Sequence, residues 1–204
     1  DRLLGFLRQG FAEVENPFSG KMSRIDLSPD HIHTLVLWSK NFRPFLGNSK
    51  AFRNYHLYFL FTINDMPELE PRVPRLGERI DQAREIAARY GPELIAWRFD
   101  PVAFRRDGPV MSIERFRTIG ETLAGAGVRR VIFSFLDLYG KVKTRNKRLA
   151  LGIVDPPLEI KRQYAVELAA AAAQMGFSPE SCSESLETVA GIVPSACIDG
   201  ARLS

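Results

Sequence analysis

Residues 113 to 137, IERFRTIGETLAGAGVRRVIFSFLD, hold one complete structural unit of this protein. Ile113, Phe116, Ile119 and Leu123 recur at helical spacing and mark an amphipathic helix. Gly125 and Gly127 follow, residues that adopt positive φ without a Cβ clash and so end the helix. Val128 to Leu136 then reads as a strand, and its run Val131, Ile132, Phe133 is apolar without alternation, as in a parallel strand buried on both faces.

The same grammar of helix, glycine and strand repeats on both sides. Leu76, Ile80, Ala83, Ala87 and Tyr90 form one stripe, ended by Gly91 and followed by the strand run Leu94 to Phe99. Ile160, Tyr164, Leu168, Ala171 and Met175 form another, ended by Gly176 and followed by Phe177 to Cys182. Toward the start, Gly10 precedes the run Phe11 to Val14, and partly helical segments near Ser28 and Phe42 precede Thr34 to Trp38 and His56 to Ile63. About six strands result. Strands alternating with helices lie parallel, because each crossover returns the chain to the same end of the sheet. An open doubly wound sheet and a (β/α) barrel both satisfy this pattern. The absence of a glycine-rich phosphate loop of the dinucleotide or P-loop type favours the barrel, so the expected fold is an α/β, TIM-barrel-like parallel barrel occupying residues 1–204 as one domain. A closed barrel of eight strands needs two more than are visible, so the barrel is expected to be incomplete.

In 204 residues, 45% apolar and 25% charged, the composition is that of one soluble globular domain and excludes a disordered or collagenous chain. The apolar stretch Ala165 to Met175 is too short to span a bilayer, so no membrane partner is expected. Two cysteines make no disulfide scaffold, which points to a reducing, cytoplasmic setting. The chain opens at Asp1 and runs directly into Leu3, Leu4, Phe6 and Leu7, a helical pattern that suggests a fragment boundary.

Parallel α/β folds place chemistry at the carboxyl edge of the sheet, so the polar residues that close each apolar run are the site candidates. These are Asn16, Ser39 with Lys40, Thr62 with Asn64, Arg98 with Asp100, Ser134 with Asp137, and Cys182 with Glu184. Pro17 and Pro101 are expected to terminate their strands and aim Asn16 and Asp100 at the rim. Arg98 and Asp100 stand apart: alternation puts them on one side of one strand, an ion pair directed at the barrel interior.

Other polar groups read more simply. His31 and His33 follow Ser28 and Pro29, a helix-start signature, and are expected to be solvated or capping rather than metal ligands; His56 is read likewise. Lys141 to Arg148 carries five basic residues in eight and is expected as a loop over the active face, either solvated or gripping phosphate. Arg105, Arg106, Arg129 and Arg130 read as surface charge. Cys182 and Cys197, fifteen positions apart without a nearby histidine, read on spacing alone as buried inert thiols.

The strings beginning at Asn16 (NPF), Trp38 (WSKN), Tyr58 (YFLFT), Trp97 (WRFDP), Ser134 (SFLDLY) and Cys182, with Ala196 (ACID) last, occur in this order through nearly the whole chain. As a set they resemble the family called domain of unknown function 1848. The resemblance implies a TIM-barrel-like protein whose complete members carry an upstream strand region and a downstream cysteine-rich tail like the cluster motif of radical S-adenosylmethionine enzymes. Both pieces lie outside this sequence. It further implies Cys182 and Cys197 as thiolate ligands of a 4Fe-4S cluster, with S-adenosylmethionine as cofactor of the complete protein and neither held stably by this chain alone. Arg98 and Lys40 would hold a carboxylate or phosphate of a small-molecule or nucleotide-containing ligand, Asp100 and Asp137 would accept hydrogen bonds from hydroxyls or amines, and Asn16, Ser39, Thr62 and Glu184 would orient it. Two other functions are open to the same residues: a divalent-metal hydrolase using Asp100, Asp137 and Glu184, and a nucleic-acid-binding module using Lys141 to Arg148 with the net charge of +4.

Overall fold

A computed structural model describes residues 2–182, 189–196 and 198–203. Helix α1 (Arg2–Gln9) leads through Gly10, at φ +78°, into β1 (Phe11–Glu15), which pairs antiparallel with β2 (Met22–Asp26). Then come β3 (Leu35–Ser39), the short α2 (Arg43–Leu46), β4 (Leu57–Thr62), α3 (Leu76–Tyr90) and β5 (Ile95–Val102). A small hairpin of β6 (Phe104–Arg105) and β7 (Gly108–Pro109) precedes α4 (Ile113–Gly125), β8 (Arg130–Phe135), α5 (Gly140–Arg148), α6 (Leu158–Gln174), β9 (Ser178–Ser181), β10 (Val193–Pro194) and α7 (Gly200–Leu203).

The main sheet has six parallel strands in the order β3, β4, β5, β8, β9, β10. Successive strands of this sheet are therefore always neighbours, with no reversal of direction across it. The expected strand count is met with different members. The run at Phe11 to Val14 belongs to a separate two-stranded hairpin rather than to the parallel sheet, and β10 takes the sixth place. The cause is local. Asn16 to Lys21 closes a turn that lays Met22 to Asp26 antiparallel against Phe11 to Glu15: Asn16 Oδ1 accepts from the amides of Phe18 (2.9 Å) and Ser19 (3.1 Å), while Gly20 sits at φ +66°.

Alternation divides the sheet into two unlike faces. Phe59, Phe61, Ile95, Trp97, Val131 and Phe133 join the helices in the main core, against Ile86 of α3, Phe116 of α4 and Leu168 of α6. Trp97 stacks on Phe116 at 4.8 Å between ring centroids. On the opposite face Tyr58, Leu60, Ala96 and Ile132 form a second, smaller cluster with Val36, Leu94 and Leu203. That face also carries charge: Arg130 donates from Nε and Nη2 to the two carboxylate oxygens of Glu180, both at 2.6 Å, and from Nη1 to the Tyr58 hydroxyl at 2.6 Å. Arg130 is thus buried in the sheet interior, not surface charge, because its place one residue before Val131 turns it inward toward a carboxylate two residues along the register on β9.

Two further expectations change. Pro101 does not end its strand: β5 continues to Val102, and the pairing with β8 shifts register between Phe99 and Val102, where a residue without an amide hydrogen is tolerated at a bulge. The basic segment is the helix α5, not a loop. Met66 to Pro74, polar and rich in proline, lies within the long connection from β4 to α3. Among the described residues no helix is long and apolar enough to cross a membrane.

Candidate functional site

Thr62, Arg98 and Ile132 lie side by side in the register of β4, β5 and β8, on the face away from the main helices. Arg98 is 3% exposed. Its Nη2 donates to Asp100 Oδ2 at 2.5 Å, and the other oxygen of Asp100 accepts from the Ser134 hydroxyl on β8. Its guanidinium carbon lies 3.8 Å from the ring centroid of Trp38, a cation–π contact that reaches across β4 to the edge strand β3. The indole Nε1 of Trp38 donates to Thr62 Oγ1 at 3.4 Å, and Trp38 remains 56% exposed. Arg98 Nε is buried and has no partner among the described residues. The geometry is that of an anchored cation, its buried Nε donor unspent, against an open aromatic ring.

A second tier of polar groups supports this one from the loops. The Asn64 side-chain amide donates to the Asp100 main-chain carbonyl at 3.2 Å, and the main-chain carbonyl of Asn64 accepts from Arg79 Nη2 at 2.5 Å. Arg79 projects from the first turn of α3, is 3% exposed, and leaves Nε and Nη1 without a partner among the described residues. Burial pulls its pKa below the ordinary guanidinium value, against the opposing effect of Glu70 and Asp65. Glu70 pairs with Lys40, and Asp65 pairs with Arg115.

The expected site residues therefore separate. Thr62, Arg98 and Asp100 come together, joined by Ser134. Lys40 reaches the edge but is committed to Glu70 rather than to Arg98. Ser39 closes a local turn, donating to the Asn41 carbonyl at 2.9 Å and accepting from the Asn41 amide at 3.0 Å. Asn16 sits in the β1–β2 turn, outside the parallel sheet. Asp137 is exposed in the segment between β8 and α5. Cys182 directly follows β9 at the carboxyl edge and is half-buried. Cys197 and Glu184 lie outside the described residues. His31 and His33 precede β3: the His31 ring nitrogen is 2.8 Å from Ser28 Oγ and 3.0 Å from Asp26 Oδ2, and that of His33 is 2.9 Å from Thr34 Oγ1. The turn beginning at Asp26 also holds the Asp26 carboxyl below its usual range through two hydrogen bonds from Ser28, so these histidines serve a local turn.

Trp38 and Arg79 were missed as site residues. Both had a signal: Trp38 alternates with Val36 toward the sheet interior, and Arg79 interrupts the apolar stripe of α3 three residues after Leu76.

An iron-sulfur cluster of the implied kind needs several thiolates in one place. The described residues bring Cys182 alone to this edge, and no group of three or more His, Cys, Asp or Glu side chains is assembled among them. They do not fit such a cluster, and the chemistry available at the edge is that of Arg98, Asp100, Ser134, Thr62 and Trp38.

No curated protein and no solved structure matches the chain. One family does, over residues 2–204, and its span takes in every strand and helix that builds the site. The chain belongs to the family described as Domain of unknown function (DUF1848).

Proposed function

We propose that this chain is the core of a (β/α)-barrel enzyme whose carboxyl edge binds the anionic end of a small molecule through Arg98. The observation that carries the reading is the buried Arg98 guanidinium, fixed by Asp100 on one side and Trp38 on another, with Nε left without an acceptor among the described residues. A buried donor without a partner is costly, about 1–3 kcal/mol, and a carboxylate or phosphate oxygen supplies the missing acceptor. Asp100 and Ser134 offer acceptor and hydroxyl chemistry next to it, and the open ring of Trp38 offers a stacking surface.

The barrel part of the reading is supported by the unbroken order of neighbouring strands and by burial on both faces of the sheet. Tyr58, Leu60, Thr62, Arg98 and Glu180 are at most 6% exposed although the large helices pack on the other face. A sheet that curls toward itself buries such residues without a second helical layer.

The iron-sulfur and S-adenosylmethionine part of the reading rests on the family and on the place of Cys182 at the same edge. When bound, a cluster would supply one-electron chemistry, and it would require sulfur donors beyond the one described. S-adenosylmethionine has an α-carboxylate suited to Arg98, an amine suited to Asp100 and an adenine suited to stacking on Trp38.

Trp38 is the exposed member of the two tryptophans, so it reports directly on the site. Titration with S-adenosylmethionine, and separately with simple carboxylates, is expected to change tryptophan emission in the wild type and not in Arg98→Gln. An unchanged response in that variant would place the ligand elsewhere. Anaerobic reconstitution of this chain and of its parent, followed by iron and sulfide analysis, tests the cluster separately.

A further inference from the structure

Two cavities on the carboxyl side of the sheet share a wall, and Arg98 lines neither. The first, about 540 Å³, is lined by Arg72 from the β4–α3 connection and by Arg145 and Arg148 of α5. The second, about 150 Å³, is lined by Pro101, Leu136, Val142 and Ile153 among others. Leu69, Glu70 and Arg145 belong to both.

The charge around the larger cavity is uncompensated. Helix α5 carries Lys141, Lys143, Arg145, Lys147 and Arg148 and no acidic residue. Among the described residues none of these five, nor Arg72, has an ion-pair partner. Glu70, the acid at the cavity wall, is taken by Lys40.

The walls are held in place by hydrogen bonds that do not consume this charge. Arg145 Nη2 donates to the Leu69 carbonyl at 2.8 Å, which pins α5 against the β4–α3 connection. The Asn146 amide exchanges two bonds with the Ile153 backbone, at 2.7 and 3.0 Å, and so fixes the floor of the apolar slot.

We infer that these cavities form one site for a small organic phosphate: the phosphate lies against Arg72, Arg145 and Arg148, and the apolar body fills the slot beside Leu136 and Val142. Three guanidiniums around one concavity repel each other until an anion enters, and planar guanidinium forks match phosphate oxygens in pairs. An apolar cavity near 150 Å³ is large enough for a single six-membered ring. Concavity and the adjoining slot favour a compact ligand over a nucleic-acid backbone, which would track an open surface.

The test is calorimetric titration of the full chain with phenyl phosphate, inorganic phosphate, phenol and a single-stranded oligonucleotide. Phenyl phosphate is expected to bind at least tenfold more tightly than either inorganic phosphate or phenol. Arg72→Gln and Arg148→Gln, both at exposed positions, should each weaken it roughly tenfold or more, with the melting temperature unchanged. Val142→Asn should bring phenyl phosphate down to the level of inorganic phosphate. Equal binding of phenyl phosphate and inorganic phosphate, wild-type affinity in the arginine variants, or no binding of either phosphate overturns the assignment. Oligonucleotide binding that is tighter than phenyl phosphate, steeply salt-dependent and lost in the same arginine variants also overturns it, in favour of a nucleic-acid surface.

Discussion

Arg98 on β5 reaches across β4 to stack on Trp38 of β3, the guanidinium carbon 3.8 Å from the indole centroid, with Arg98 buried and Trp38 open to solvent. The pair joins a charge held inside the sheet to an aromatic surface that a ligand can reach. Its energetic weight falls on Arg98, because Asp100 lies on the same side of β5 and depends on that guanidinium. Arg98→Ala is expected to destabilise the fold by roughly 2–4 kcal/mol, since it leaves the half-buried Asp100 carboxylate without its cation. Arg98→Ala/Asp100→Ala should cost less than the sum of the single changes. Additive losses in urea unfolding would show that the two residues act independently.

The same logic applies more strongly at the other end of this face. Arg130 and Glu180 are 7% and 2% exposed and joined by two hydrogen bonds, with burial opposing the Arg130 charge and Glu180 and Tyr58 together raising its pKa above the ordinary guanidinium value. Arg130→Met should cost about 3–5 kcal/mol, because a buried carboxylate is left behind. Adding Glu180→Leu should return part of that loss. Chemical denaturation of the two variants decides the matter, and a double variant less stable than Arg130→Met would contradict it.

Gly120 brings α4 close against Trp97 of the sheet. A Cβ there would lie 2.6 Å from Met175 Cε and 3.2 Å from Trp97 Cζ3. Met175 can swing aside, whereas Trp97 is fully buried and stacked on Phe116. Gly120→Ala is therefore expected to destabilise by about 1–3 kcal/mol despite the better helix propensity of alanine. Met175→Ala in that background should relieve part of the strain, as read from unfolding midpoints.

Tyr164 gives the protein an alkaline limit. Its hydroxyl donates to the Met111 carbonyl at 2.6 Å, and burial, followed by nearby Glu167 and Glu114, raises its pKa above the ordinary value of 10. The unfolded chain ionises this phenol first, so the stability it contributes is whole below about pH 10 and declines as pH rises toward the folded-state value. Tyr164→Phe should be less stable than wild type by about 1 kcal/mol at pH 8, and the gap should narrow at pH 11. Melting curves at the two pH values test this; a gap that widens is the opposite result.

Asn16 separates the hairpin from the site. Asn16→Ala removes two side-chain hydrogen bonds in the β1–β2 turn and is expected to cost roughly 1 kcal/mol. Trp38 fluorescence and its response to ligands should be unchanged, and a lost response would return Asn16 to the site.

Much of the fold is legible in the sequence because it rests on local rules. The stripes of α3, α4 and α6, the positive-φ glycines at Gly91, Gly127 and Gly176, and the apolar runs of β4, β5 and β8 are each set within one element of at most 17 residues. Alternation alone placed Arg98 and Asp100 together, since two residues apart on a strand means the same face. The same rule, applied to β3, would have found Trp38.

What the chain alone left open depends on which segments meet. The run Phe11 to Val14 satisfies strand chemistry equally in a hairpin or a parallel sheet, and only its pairing with Met22 to Asp26 removes Asn16 from the carboxyl edge. Lys40 stands after its strand as expected, yet Glu70, thirty residues away, claims its charge. Arg130 reads as surface until Glu180 and Tyr58, fifty and seventy-two residues distant, supply the partners that allow it to be buried. Periodicity and turn chemistry act over a few residues and are written in the order of the chain, whereas the compensation of a buried charge is set by distance in space, which the folded sheet alone brings within hydrogen-bond reach.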